Sequence, residues 1–413
     1  MAHEGRTGQL VSASWVVPIT APPLREGAVW LDAEGSIVAV GPAEVLAKQA
    51  GPARQRHVHG TLLPALVNAH THLELSALAG GVPGGEGLVP WVGRLQRAAG
   101  DVADAARLAA AHRAAASAHR AGTIALGDVG NGLGCVEALG QVPLEGSFFH
   151  EILGSRDDGS GAGLEALRAE QEALVRAGHW PLRFRYVQAP HAPYSGGPAL
   201  LARLFAAAQA AGQRTTIHLA EDTDELALLE TGVGAWAPVL ARLGVPPGSR
   251  TPGMGPGPYL ERLGAFAGPP APLLVHMCLA GEPEIVRARA AAAPVVLCLR
   301  SNQHISGRAP PVPAMVDAGL TLALGTDSLA SVASLSLWDE MKALAGAFPA
   351  LPPHLWLEAA THGGAIALER PWLGSLTPGQ RPGVLAVPVE APHAEALLRT
   401  LVQGAPTSVE WMT

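Results

Sequence analysis

Cysteine is scarce: Cys135, Cys278 and Cys298 are the only three in 413 residues, an odd number, far apart and without a C-x-x-C pair. That excludes a disulfide framework and a cysteine-based zinc finger. Long apolar runs are also missing. Each is broken within about a dozen residues by Gly, Pro, His or Arg, short of the roughly 18 that a bilayer crossing needs. Charged residues make up 15%, the net charge is -7, and no Lys/Arg block occurs. With no positive field to gather phosphate backbones, nucleic acid is not an expected partner. The N-terminus, MAHEGRTGQL, has Glu4 where a signal peptide carries its basic and then apolar regions. The expected setting is the cytosol, with reduced thiols and no membrane contact.

Hydrophobic residues, at 48%, are too many for a disordered chain. The length suits two or three domains of about 150 residues, or one large barrel with an appendage. Residues 1–60 alternate short apolar runs with turns, as in LVSASWVVP and then AVWLDAEGSIVAVG, where Glu34-Gly35 sits at the hinge of a hairpin. From 61 onward apolar strand-like runs alternate with Ala/Leu/Glu/Arg stretches at helical spacing, the clearest being 102–121, closed by Gly122. The strand candidates are 62–70, 123–129, 146–153, 183–191, 214–221, 272–279, 294–302 and 320–328. Eight βα repeats in about 310 residues predict a closed (β/α)8 barrel over 61–370. After 371 the chain returns to short β segments, RPGVLAVPV and LVQGAPTSVEWM, expected to join the N-terminal strands in a small β-sandwich domain of 1–60 plus 371–413. The Pro/Gly-rich stretch 245–258 reads as a disordered loop or a lid.

The chemically capable residues fall at the C-terminal ends of these strands, the active-site face of such a barrel. Strand 1 ends His70-Thr71-His72, and residues two apart on a strand point the same way. The same spacing in His57-Val58-His59 has no strand end or carboxylate beside it and reads as an exposed strand face. Strand 5 carries His218 followed by Glu221, strand 6 carries His276, and strand 8 ends Gly325-Thr326-Asp327-Ser328. Imidazoles with one carboxylate make an N/O site suited first to Zn2+ and also to Fe2+, with a position left for water. A metal there lowers the pKa of its water toward about 7. Taken singly, each residue has a plainer use: a strand-end His satisfied in the core, Asp327 as a helix cap, Glu221 complementing a helix dipole. Their joint arrival at one face of one barrel decides for a metal site.

The strings LLPALVNAHTHLELS, APHAPYS, IHLAED, VHMCLA, CLRSN and GTDSLASVASLSLWDEM resemble the amidohydrolase superfamily. The likeness lies in its branch of metal-dependent aminohydrolases, which includes chlorohydrolases, cytosine and guanine deaminases and adenosine-nucleoside deaminases. The resemblance implies that His70, His72, His218 and Asp327 ligate one metal and that Glu221 shuttles protons. It further implies that His276 orients or helps deprotonate the water and that His191 faces the substrate. Binuclear members carry a carboxylated Lys at the end of strand 4. Here the only lysines are Lys48 and Lys342, and strand 4 ends Ala189-Pro190-His191, so a mononuclear deaminase is expected.

The segment HTHLELSALAGG and the strand 3 ending FFHEILG are similar to those of aminodeoxyfutalosine deaminases, with Glu151 a candidate substrate contact. The expected reaction is hydrolytic deamination of a purine nucleoside, first 6-aminodeoxyfutalosine of menaquinone biosynthesis. Adenosine, S-adenosylhomocysteine, methylthioadenosine, guanine, cytosine and a triazine-type chlorohydrolase reaction are the alternatives, ahead of a non-catalytic scaffold. Glu74 and Trp91 either serve the pocket or only pack, and Arg300 and Ser328 either contact substrate or brace the site. The Gly379-Gln380-Arg381-Pro382-Gly383-Val384-Leu385 stretch departs from the family's G-x-x-A-D-L form. Exposed barrel helices leave a homodimer open.

Overall fold

The computed structural model describes residues 8–51, 53–154, 161–242, 253–404 and 406–412. Two compact units emerge, one of 1–68, 118–125 and 336–413, the other of 69–117 and 126–335. In the first, strands β1 (Gln9–Val16), β2 (Leu24–Leu31), β3 (Ile37–Pro42), β4 (Arg54–Pro64), β13 (Val384–Val387) and β14 (Glu410–Trp411) form one mixed sheet in the order β14-β13-β4-β1-β2-β3. The hairpin turn falls where Glu34-Gly35 predicts it. Asp32 Oδ1 accepts the N–H groups of Glu34 and Ser36, and Gly35 takes a φ of 81° that only glycine adopts freely. The C-terminal segment joins the N-terminal strands as expected, with β13 antiparallel to β4. His57 and His59 are exposed on β4, in keeping with a solvated strand face.

One C-terminal expectation is corrected. LVQG does not extend a strand; it ends the helix Ala394–Gly404, whose Leu397, Leu401 and Val402 are buried at the i, i+4 spacing of an apolar helix face. The helical segments Leu337–Ala347 and Pro353–Ala367, which the sequence division gives to the barrel, belong to this first unit.

The remaining eight strands are β5 (Leu66–Thr71), β6 (Thr123–Gly130), β7 (Glu145–Ile152), β8 (Phe184–Pro190), β9 (Thr216–Leu219), β10 (Leu273–His276), β11 (Val295–Leu297) and β12 (Leu322–Leu324). They pair in the orders β5-β6-β7-β8 and β12-β11-β10-β9. A parallel bridge between Thr71 and Asp327 closes one seam, and the His218 N–H donating to the His191 carbonyl at 2.9 Å links β8 to β9 at the other. β5 and β9 to β12 are buried along their whole length, as strands covered on both faces are, and Asn68, His70, Thr71, Thr216, His218 and His276 are buried with the apolar residues around them. The fold is therefore a (β/α)8 barrel with a separate mixed sheet. Several strands are shorter than expected, and 294–302 changes type midway. β11 stops at Leu297, and Arg300, Ser301 and Asn302 stand on the helix Leu299–Ser306. Residues 245–252 of the Pro/Gly-rich stretch lie outside the described residues.

Cys278 and Cys298 are buried and Cys135 is half-buried. Among the described residues no helix is long and apolar enough to cross a membrane.

Candidate metal centre

The C-terminal strand ends bring His70, His72, His218, His276 and Asp327 to one place. His72 Nε2 lies 3.1 Å from His70 Nε2 and 3.7 Å from Asp327 Oδ1. Both gaps are shorter than twice a zinc–nitrogen bond of about 2.0–2.1 Å, so one ion can span them. The ring of His218 sits 5.0 Å from that of His70 and 5.3 Å from that of His276, centre to centre. Ligand atoms of His70, His72 and Asp327 converge within 4.8 Å, as do those of His70, His218 and His276.

Local backbone chemistry makes this convergence possible. Gly325 lets β12 press against β5: a Cβ there would stand 2.7 Å from the His70 Cβ. The His70 carbonyl accepts the N–H groups of both Thr326 and Asp327. Four non-glycine residues at these strand ends take left-handed backbone angles, Ala220 (φ 51°), His276 (φ 72°), Met277 (φ 49°) and Asp327 (φ 59°). Such conformations are unfavourable for L-residues and cluster where a structure aims functional groups.

Ring orientation is fixed from behind. His218 Nδ1 donates to the His191 carbonyl at 2.9 Å, and His276 Nδ1 to Asn302 Oδ1 at 2.8 Å, leaving each Nε2 with its lone pair. Asp327 Oδ2 accepts the Ser301 hydroxyl, which is also 2.8 Å from Ser331 Oγ. Burial, reinforced by the neighbouring imidazoles, holds His70 far below its ordinary value. Burial likewise lowers His191 to about 3 and His218 to about 3. Imidazole nitrogens beside a carboxylate are the donor set a divalent N/O-binding metal requires, so these residues fit such an ion.

The two carboxyls at the centre are driven apart. Burial pushes Glu221 well up, helped by the negative charges of Asp327, Asp222 and Glu151. Burial alone would raise Asp327 too, but His72, His276 and the Ser301 hydroxyl outweigh it and hold that carboxyl below its usual range. Glu221 Oε1 stands 3.6 Å from His276 Nε2.

His72, His218, Glu221, His276 and Asp327 line a cavity that is partly open to solvent. Its polar lining includes Glu74, Asn131, Glu151, His191 and Glu221, and its apolar lining Leu88, Trp91, Leu95, Trp236 and Ile305. Glu151 accepts from Asn131 Nδ2 at 2.6 Å, and Glu74 from the Asn131 N–H at 3.0 Å. His191 bonds Ser195 Oγ through Nδ1. Trp91 both packs in a buried cluster and lines the cavity. Arg300 turns aside to Ser334, and neither it nor Ser328 lines the cavity.

Sequence reasoning passed over Asp128, Asn131, Glu225, Ser301 and Asn302. Asp128, two residues before the end of β6, accepts the Leu73 N–H at 2.9 Å, bracing the chain just after His72; burial pushes its carboxyl well up. Its position in TIALGDV, at the end of an expected strand, was the available signal. Ser301 and Asn302 were hidden by the strand reading of 294–302.

The buried imidazoles predict an acid limit. His191 and His218 fall from 6.5 to about 3 on folding, so folding disfavours their protonated forms. Their stabilisation is complete above pH 6.5 and is lost as pH falls from there toward 3. Thermal melting of the metal-stripped chain should show Tm dropping through this window. Raised carboxyls such as Glu225 titrate with the opposite sign over part of this range, so the rings are also followed directly. An NMR titration that protonates either ring near its ordinary value would contradict two neutral buried imidazoles.

The profile of the amidohydrolase family matches residues 61–405. The aminodeoxyfutalosine deaminase of Deinococcus radiodurans is 30% identical over 338 residues, 80% of this chain and 78% of that protein. The 5-methylthioadenosine/S-adenosylhomocysteine deaminase of Nitratidesulfovibrio vulgaris is 29% identical over 382 residues, 88% of this chain and 80% of that one. A solved structure of Helicobacter pylori aminofutalosine deaminase in complex with methylthio-coformycin superposes with a TM-score of 0.86 at 24% identity, covering 97% of each chain. At that identity the likeness carries the fold.

Proposed function

The chain belongs to the amidohydrolase family and is a hydrolytic enzyme, and from that premise we propose that it deaminates an adenine nucleoside at a single divalent metal, zinc first. His70, His72, His218 and Asp327 are the ligands in this reading. The metal supplies, when bound, a water whose pKa falls to about 7. The observation that carries the reading is the convergence of His70, His72, His218, His276 and Asp327 with Glu221 3.6 Å from His276 Nε2 at one cavity, where burial and neighbouring carboxylates push Glu221 up while Asp327 is held below its usual range. Pairs of titratable groups pushed apart in this way divide the acid and base roles between them.

The roles follow from position. Asp327 accepts a proton from the attacking water, and His276, aimed by Asn302, orients that water. Glu221 donates its proton to the ring nitrogen beside the amino-bearing carbon, which makes that carbon electrophilic. As Asp327 takes one proton from the water, the water oxygen bonds to that carbon. Glu221, now a carboxylate, takes the proton left on this oxygen and passes it to the amino group. Ammonia leaves as the carbon–nitrogen bond breaks and the carbonyl forms, and the proton held by Asp327 returns Glu221 to its acid form. His191 and Glu151 hold the purine on the polar side, while Leu88, Trp91 and Trp236 receive the 5′ substituent.

For the substrate itself we take 6-aminodeoxyfutalosine, which would place the enzyme in menaquinone biosynthesis in the cytosol. The support is the HTHLELS segment together with the Deinococcus relative. The second reading, methylthioadenosine or S-adenosylhomocysteine, draws on the Nitratidesulfovibrio relative. The ultraviolet change from adenine to hypoxanthine separates them. 6-Aminodeoxyfutalosine should show the highest kcat/KM in a panel with methylthioadenosine, S-adenosylhomocysteine and adenosine. If a panel member outpaces it, the substrate assignment moves to that nucleoside; if only cytosine or guanine reacts, the nucleoside reading is lost.

A further inference from the structure

The helix after β9 runs Thr223–Thr231 and is capped by Asp222, whose Oδ1 accepts the Asp224 N–H at 2.8 Å. In such a cap, a Glu three residues on ordinarily reaches back to the N–H of the cap residue itself. Glu225 occupies that position and reaches further. Its Oε1 accepts the Ala220 N–H at 3.0 Å, and its Oε2 accepts the Glu221 N–H at 2.9 Å. Glu225 is fully buried and does not line the cavity, so it has no access to substrate.

What it grips is a bend. Ala220 has its left-handed φ of 51°, and its carbonyl accepts the Leu279 N–H at 2.8 Å from the loop after β10. Asp222 Oδ2 accepts the Leu88 N–H at 3.2 Å from the cavity wall. Between these anchors the chain leaves the barrel strand and delivers Glu221 to the cavity, 3.6 Å from His276. Freed of their acceptor, two consecutive buried N–H groups would be left without partners, and the bend would relax to find others.

The geometry points to Glu225 as a positioning residue: its side chain clamps two successive backbone N–H groups and thereby sets where the Glu221 carboxyl stands. This rests on the proton-transfer role proposed for Glu221.

A purely structural glutamate of the same kind exists elsewhere in the barrel unit. Glu284 Oε1 accepts the Gly257 N–H at 3.0 Å and its Oε2 the Gly281 N–H at 2.9 Å. That likeness sets the experiment. Metal-loaded Glu225→Gln, Glu284→Gln, Glu221→Gln and the Glu221→Gln/Glu225→Gln double variant are compared by metal content, Tm, kcat and KM on the nucleoside that wild type turns over fastest. Glutamine keeps one acceptor and presents an NH2 to the other N–H. Both Glu225→Gln and Glu284→Gln should lower Tm, but only Glu225→Gln should lower kcat. The expected loss is roughly ten- to a hundredfold, the scale of misplacing a reacting group by about 1 Å, with KM and metal content unchanged. The double variant should be no slower than Glu221→Gln alone, because the clamp acts through a group already disabled. Wild-type kcat in Glu225→Gln, or a further tenfold loss in the double variant, overturns the clamp. Normal turnover in Glu221→Gln overturns the proton-transfer reading instead, so the two failures are distinct. If Glu225→Gln does not fold, Glu225→Asp, which withdraws the carboxylate by one methylene, replaces it with the same expected split between kcat and KM, and wild-type kcat there overturns the proposal.

Discussion

Glu221→Gln is expected to keep the wild-type metal content and lose turnover by about 10³-fold or more, near the upper part of the 10²–10⁴ range for a positioned acid or base. The substitution is nearly isosteric, so cavity shape and the ligands are left in place. What disappears is a transferable proton. Glu221 is used twice in the proposed sequence, first toward the ring nitrogen and then toward the departing amine, and an amide can serve neither step. Folding should not suffer. The native carboxyl is driven up by burial and by Asp327, Asp222 and Glu151, so a neutral side chain there removes a penalty, and Tm should hold or rise. Single-turnover measurement with metal analysis checks both halves. A rate within tenfold of wild type would remove Glu221 from proton transfer, and metal loss would mean that it acts as a ligand.

Removal of the metal is the second large effect. Chelation should bring turnover to background, and one equivalent of Zn2+ or Fe2+ per chain should restore it, the better of the two identifying the working ion. Asp327→Ala and His218→Ala should each bind far less metal than wild type. Loss of partners behind the ligands alone costs about 10–100-fold in affinity, and removing a direct ligand should cost more. Asp327→Ala carries a further penalty, because it leaves the Ser301 hydroxyl without its carboxylate partner and abolishes the base. Restored activity at two equivalents but not at one would refute a mononuclear site. A chain that turns over fully after exhaustive chelation would refute the metal altogether.

Where sequence and structure part, the cause is tertiary each time. Residues 294–302 read as one strand because VVLCL is apolar and β-branched. The chain nevertheless turns helical at Leu299, which lets Ser301 reach Asp327 and Asn302 reach His276. LVQG reads as strand in the same way, but Leu397, Leu401 and Val402 find a buried face only as a helix. Short apolar runs carry no period long enough to separate these two states.

The strand-end positions of His70, His72, His191, His218, Glu221, His276 and Asp327 were set by the order of residues alone. In a parallel barrel every strand delivers its C-terminal end to the same face, so eight apolar runs with polar ends already imply a shared rim. Which atoms meet there was decided only in three dimensions. The left-handed turns at Ala220, His276, Met277 and Asp327, the close approach at Gly325, and the backing partners Asn302, Ser301 and Asp128 come from segments far apart along the chain or from backbone angles that composition does not encode. A local pattern records which side of a strand a residue takes, whereas hydrogen-bond partners and pKa shifts depend on burial and on neighbours that only the closed barrel supplies.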